Sequence, residues 1–212
     1  MILSRIKNET PTQLLARSIS IVMHPLLIPL YGVLVLFYGN TLWAVATPRL
    51  KLFFVTMVLL NAMVVPGICL TALMLLKYMG NFATAGHRER VVPLTVAALC
   101  YLACLYILSD ISIAFLFGRF MMTALAGTLV ALIFSYFWKI SVYMIGAGGI
   151  FGLLLLLSVS GHGAVLALLV IFTLLSGLLA SARLYMGYHT PLQIGVGFLV
   201  GLITVITTML LS

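Results

Sequence analysis

Arg183 and His189 bracket the segment Arg183-Leu-Tyr-Met-Gly-Tyr-His189, which closes a long apolar run. The chain around them is 64% hydrophobic and only 7% charged. Ionisable groups are expensive in a bilayer and mark functional sites there. A guanidinium offers planar, paired donors to phosphate oxygens. An imidazole can attack phosphorus and form a covalent intermediate. The two residue types together point to phosphate chemistry at a membrane boundary.

Two further polar segments carry matching chemistry. One is His87-Arg88-Glu89-Arg90-Val91-Val92-Pro93. The other is Lys139-Ile-Ser141-Val-Tyr143, followed by Gly146, Gly148 and Gly149. The Arg183 segment itself continues through Thr190-Pro191-Leu192-Gln193. Arg183, Arg90, Ser141 and Lys139, with Arg88 as a further cation, make a candidate phosphate-binding set. Backbone N–H groups at helix N-termini would add donors. Each residue also has a plainer role open to it. Arg183 and His189 suit a helix end where side chains snorkel to the interface. Arg88, Glu89 and Arg90 suit a solvated turn with a local ion pair. Lys139 beside Trp138 suits a headgroup anchor.

The elements that position these residues must be transmembrane helices. Mean hydropathy is +1.30, and apolar runs of spanning length, roughly 20 residues, recur along the chain. They fall at about 19–39, 52–76, 92–109, 119–138, 142–159, 164–184 and 191–211. The expectation is an all-α polytopic bundle of about seven spans (six to eight), forming a single domain over 1–212. Pro66-Gly67 should kink the second span, and 111–117 reads as a re-entrant or interfacial piece. His24-Pro25 and Asn61 read as interhelical hydrogen bonds or a kink. Asp110 and Arg119 read as interfacial. Gly148-x3-Gly152 and Gly197-x3-Gly201 read as close helix packing. Cys69, Cys100 and Cys104 sit in apolar runs and read as small buried hydrophobes. Residues 1–18 are polar and basic without a cleavage site, which fits a retained first helix.

Counting spans puts 77–91, Lys139 and 185–190 on one membrane face, with the N-terminus. That face collects Arg5, Lys7, Arg17, Lys77, Arg88, Arg90, Lys139 and Arg183, against Arg49, Lys51 and Arg119 opposite. The positive-inside rule makes the richer face cytoplasmic. If Lys77, Arg88, Arg90, Lys139 and Arg183 serve a site, the remaining basic residues balance and the rule is silent. The net charge of +8 is scattered between apolar runs and forms no nucleic-acid footprint.

The order and spacing of the three segments resemble the type 2 phosphatidic acid phosphatase (PAP2) superfamily of membrane lipid phosphatases. That family carries Lys-x6-Arg-Pro, Pro-Ser-Gly-His and Ser-Arg-x5-His-x3-Asp. Arg183-x5-His189 matches the third motif, and the likeness covers about residues 77–205. By this resemblance His189 is the nucleophile, and Arg183, Arg90 and Ser141 hold phosphate oxygens. The chain also departs from the pattern. Ala83 stands where the family has Lys, with Lys77 or Arg88 as candidate substitutes. Tyr143 replaces the general-acid His, and Gln193 replaces the Asp that orients the nucleophile. Ala182 replaces the Ser before the arginine, with Ser181 one position earlier. Val159-Ser160-Gly161-His162 looks closer to the second motif by letters, but span counting puts it on the opposite face.

The resemblance implies a membrane phosphatase acting on a lipid phosphate or pyrophosphate, in a bacterial inner membrane. It implies membrane lipids as partners and no nucleic acid. No cofactor is expected, and no metal, because no carboxylate cluster is present to bind one. A Tyr with its ordinary pKa near 10 is a poor acid at neutral pH. A pyrophosphate would suffer less from that change than a phosphomonoester. The alternative is a catalytically silent lipid-phosphate binder or transporter on the same scaffold.

Overall fold

The computed structural model describes residues 10–39, 41–78, 86–109, 115–161 and 165–211. Arg5, Lys7, Ala83, Asp110, His162 and most of 111–117 lie outside the described residues. The described chain is helical throughout, in the order α1 Pro11–Val22, α2 Ile28–Tyr38, α3 Pro48–Val58, α4 Val65–Leu75, α5 Val91–Leu108, α6 Phe115–Phe134, α7 Val142–Val159, α8 Leu166–Tyr185 and α9 Pro191–Leu211. Six of its helical stretches are long and apolar enough to cross a membrane: Pro48–Leu75, Arg88–Leu108, Phe117–Phe134, Val142–Val159, Leu166–Tyr185 and Pro191–Leu210. Large apolar side chains such as Leu75, Tyr106, Leu174 and Leu210 cover its outside, as a lipid-facing surface requires. The protein is an integral membrane helical bundle.

The expected first span is the one that fails. The run 19–39 breaks at Met23–Leu27, where Pro25 cannot continue a helix. Helix α1 starts earlier than expected, on a capping box in which Thr10 and Gln13 exchange hydrogen bonds. Helix α2 has only 11 residues, about 16 Å of rise, half a hydrocarbon core. Counting from the N-terminus therefore no longer assigns a face to Arg17. The relative faces of the later segments do not depend on this span.

The second span accommodates Pro66 by widening the helix just before it. The structure forms one π-helical turn, Leu59–Val64, immediately before Pro66. The wider turn accommodates the ring that would clash with the carbonyl four residues back. Asn61 Nδ2 donates to its own helix, to Met57 O at 2.9 Å, and not across helices.

Helices α7 and α9 form the tightest pair, and glycines make it possible. A Cβ on Gly148 would lie 2.0 Å from Phe198 O, and one on Gly201 would lie 1.9 Å from Ile145 O. Backbones this close cannot admit any side chain between them. The same approach brings Ser141, at the start of α7, onto α9, where its N–H donates to Gln193 O at 3.4 Å. Cys100 and Cys104 are buried and Cys69 is partly so, all as free thiols.

Candidate functional site

The end of α8 is shaped by a glycine. Gly187 takes a left-handed φ of +66°, the Gly187 N–H donates to Leu184 O, and the Tyr188 N–H donates to Arg183 O at 3.1 Å. These two bonds make a Schellman motif that stops the helix and folds the chain back. The five residues between Arg183 and His189 are the length this reversal needs to return the imidazole to the guanidinium's end of the bundle. Arg183 is fully buried. Its guanidinium carbon lies 4.1 Å from the Tyr143 ring centroid and 4.6 Å from the Tyr188 ring centroid, so the cation is held between two aromatic faces.

His189 is aimed by the first turn of α9. The Thr190 N–H donates to Gln193 Oε1 at 3.1 Å, and the Gln193 N–H donates to Thr190 Oγ1 at 3.4 Å. This capping box fixes which end of the Gln193 amide is the oxygen. That oxygen also meets His189 Nδ1 at 3.2 Å. The network therefore assigns the proton to Nδ1 and leaves the lone pair on Nε2. His189 Nε2 is buried and has no hydrogen-bond partner among the described residues. Burial, reinforced by the charges of Arg90 and Arg183 and more weakly by Lys139, pushes the His189 pKa from 6.5 to about 3; the Gln193 bond opposes this. The imidazole is thus neutral at physiological pH, the state a nucleophile needs.

Arg90 closes the site from the second segment. It is the last residue of a short 3-10 turn, Arg88–Arg90, that leads into α5. Its side chain is buried, and Nη1 donates to Ile140 O at 3.2 Å. The adjacent Ser141 is buried at the N-cap of α7. Its hydroxyl makes no capping bond and has no partner among the described residues. Lys139 is partly buried, and burial together with the charges of Arg90 and Arg183 lowers its pKa, against Glu89.

The three segments read from the sequence do converge, and His189, Arg183, Arg90, Ser141, Lys139, Tyr143 and Gln193 come together. Arg88 does not. It is exposed on the outer side of the turn whose inner side carries Arg90, because residues two apart in a helical turn do not face one way. Lys77 is also exposed, closing α4 with a left-handed φ of +57°. Ser181 is exposed and bonds to Gly177 O of its own helix. Ser160 and Gly161 end α7 at the pole opposite Ser141, some 27 Å away by helix rise.

The sequence reading missed two residues. Tyr188, within the motif gap, supplies the second face on Arg183. His24, at the break between α1 and α2, packs edge-on against the Tyr143 ring at 5.5 Å and lies within electrostatic range of Arg183. A histidine in an apolar run was the available signal. Its neighbour Pro25 directed the reading toward a kink instead.

Compared with models of protein families, with curated proteins and with solved structures, the chain matches none.

Proposed function

We propose that this protein is a membrane phosphatase that hydrolyses a lipid phosphate or pyrophosphate through a His189 nucleophile, as in the type 2 phosphatidic acid phosphatase superfamily that its motifs resemble. The observation that carries this reading is the buried Nε2 of His189, without a hydrogen-bond partner among the described residues, beside two buried guanidiniums. Nε2 attacks phosphorus, and the bond to the leaving oxygen breaks with its electron pair going to that oxygen. Water then hydrolyses the phosphohistidine. Arg183, Arg90, Ser141 and Lys139 hold the non-bridging oxygens, whose charge grows in the transition state. Gln193 keeps the Nδ1 proton in place throughout.

Tyr143 fits a platform under Arg183 better than an acid, since its ring face is what the cation meets. A leaving phosphate, as from a pyrophosphate, needs no strong acid. The second reading is a silent lipid-phosphate binder, favoured by the same Tyr143 and by the uncharged Gln193.

Phosphate release by the purified protein in detergent, with a chelator present, tests the choice. The substrates are phosphatidic acid, phosphatidylglycerophosphate and a polyprenyl pyrophosphate. Release that vanishes in His189→Ala establishes the phosphatase. Saturable, Arg183-dependent lipid-phosphate binding without release from any substrate establishes the binder.

A further inference from the structure

His87 stands outside the phosphate-binding set, yet its ring is tied to a residue 48 positions away. Its Nδ1 lies 3.0 Å from Ser135 O. A carbonyl can only accept, so Nδ1 carries the proton and donates it. Ser135 is buried, and its own hydroxyl turns back to Ala131 O. It follows Phe134, the last residue of α6, so its carbonyl has no donor within that helix. The imidazole supplies that donor from another segment.

The same turn makes a second attachment. The Arg90 N–H donates to His87 O at 3.4 Å, which closes the 3-10 turn between the two residues. With about three residues per turn, side chains three apart stand one above the other. Arg88 and Glu89, between them, are exposed. Both inward side chains reach one connection, residues 135–141, which joins α6 to α7. His87 meets its start at Ser135 O, and Arg90 Nη1 meets Ile140 O, near its end, at 3.2 Å. The connection carries Lys139 and Ser141, and the Ser141 N–H donates onward to Gln193 O at 3.4 Å. A bond at Ile140 alone would leave the turn free to pivot about it. The bond at Ser135 removes that freedom, and so sets where the rest of the guanidinium points.

We infer that His87 is a positioning residue: its bond to Ser135 O holds the turn that aims Arg90 at a bound phosphate. The inference rests on the reading that Arg90 holds phosphate oxygens, and it adds a residue that acts through Arg90. The role needs one N–H at one place and not an imidazole as such. Asn offers an amide N–H the same number of bonds from Cα as Nδ1, whereas Phe keeps a ring and drops the donor.

A double-mutant cycle between His87 and Arg90 tests this. Its readout is the affinity of the purified protein in detergent for inorganic phosphate and for vanadate. His87→Ala and His87→Phe should each weaken binding about 3–10-fold, the worth of one buried hydrogen bond. His87→Asn should restore affinity to within about twofold. In an Arg90→Ala background, or Arg90→Met should alanine not fold, His87→Ala should change affinity by less than about twofold. Melting is followed beside each affinity, because a residue that only stabilises the fold lowers Tm without this coupling.

Unchanged affinity in His87→Ala, or an equal loss in both backgrounds, overturns the inference. Failure of His87→Asn to restore binding overturns it too. If the unaltered protein binds neither anion, the inference falls together with the anion site. Phosphate release from phosphatidic acid, phosphatidylglycerophosphate or a polyprenyl pyrophosphate without the coupling keeps the phosphatase and overturns the positioning role. Coupled binding without release from any of them supports the positioning role and overturns the phosphatase reading beneath it.

Discussion

The pairing of His189 with Gln193 sets the character of the site. An amide oxygen on Nδ1 fixes the tautomer without adding a negative charge. The imidazole therefore stays neutral, with its pKa pushed down to about 3. Between that value and the ordinary 6.5, the unfolded chain takes up a proton that the folded chain refuses. Stability from this group is complete above pH 6.5 and is lost as pH falls toward 3. Thermal melts across this window should show the decline, and Gln193→Asp should reduce it, because a carboxylate stabilises the imidazolium. The same substitution should move the acidic limb of the kcat/KM profile to higher pH. Tyr143 separates two roles. Tyr143→Phe keeps the ring under Arg183 and should retain most activity, whereas a general acid would cost about 10²–10⁴-fold. Tyr143→Ala should lose activity in either case. On the proposed phosphatase reading, Arg183→Ala removes a donor to the phosphate oxygens and should lower kcat about 10²–10³-fold.

Helix ends and helix contacts then decide whether those residues meet. Gly187 holds a conformation that costs another residue about 1–2 kcal/mol. Gly187→Ala should lower Tm by roughly 2–8 °C and lower kcat as well, because the reversal carries Tyr188 and His189. The neighbours Gly148 and Gly149 make a sharper contrast. A methyl on Gly148 would strike the α9 backbone, while one on Gly149 enters open space. Gly148→Ala should destabilise by about 1–3 kcal/mol, while Gly149→Ala should leave Tm near the unaltered value. Equal melts for the two would refute the close α7–α9 contact. Much of this was legible in the sequence. Gly148-x3-Gly152 and Gly197-x3-Gly201 announced tight packing. The partner across each contact was not legible, because a glycine shows that something comes close without showing what.

The molecule as a whole carries +8 with Glu9, Glu89 and Asp110 as its acids. It buries Arg183 and Arg90 at one pole, close enough to Lys139 for their charges to act on it. An anion bound there should stabilise the fold by mass action, by about 2.7 kcal/mol at a hundred times its Kd. Inorganic phosphate or vanadate should therefore raise Tm, and Arg183→Ala should cancel the rise. An unchanged Tm at saturating phosphate would count against an anion site. The sequence by itself determined the class. A chain this apolar must satisfy its backbone inside helices, whatever its partners. It also determined that Arg183, Ser141, Arg90 and His189 stand near helix ends, because polar residues between apolar runs can go nowhere else. The tertiary structure decided the rest. It broke the first run at Pro25, turned Arg88 outward and Arg90 inward, and laid Arg183 between Tyr143 and Tyr188. It also brought His24 beside residues more than a hundred positions away. Those outcomes depend on which helix packs against which, and local periodicity in so uniformly apolar a chain carries almost no information about that choice.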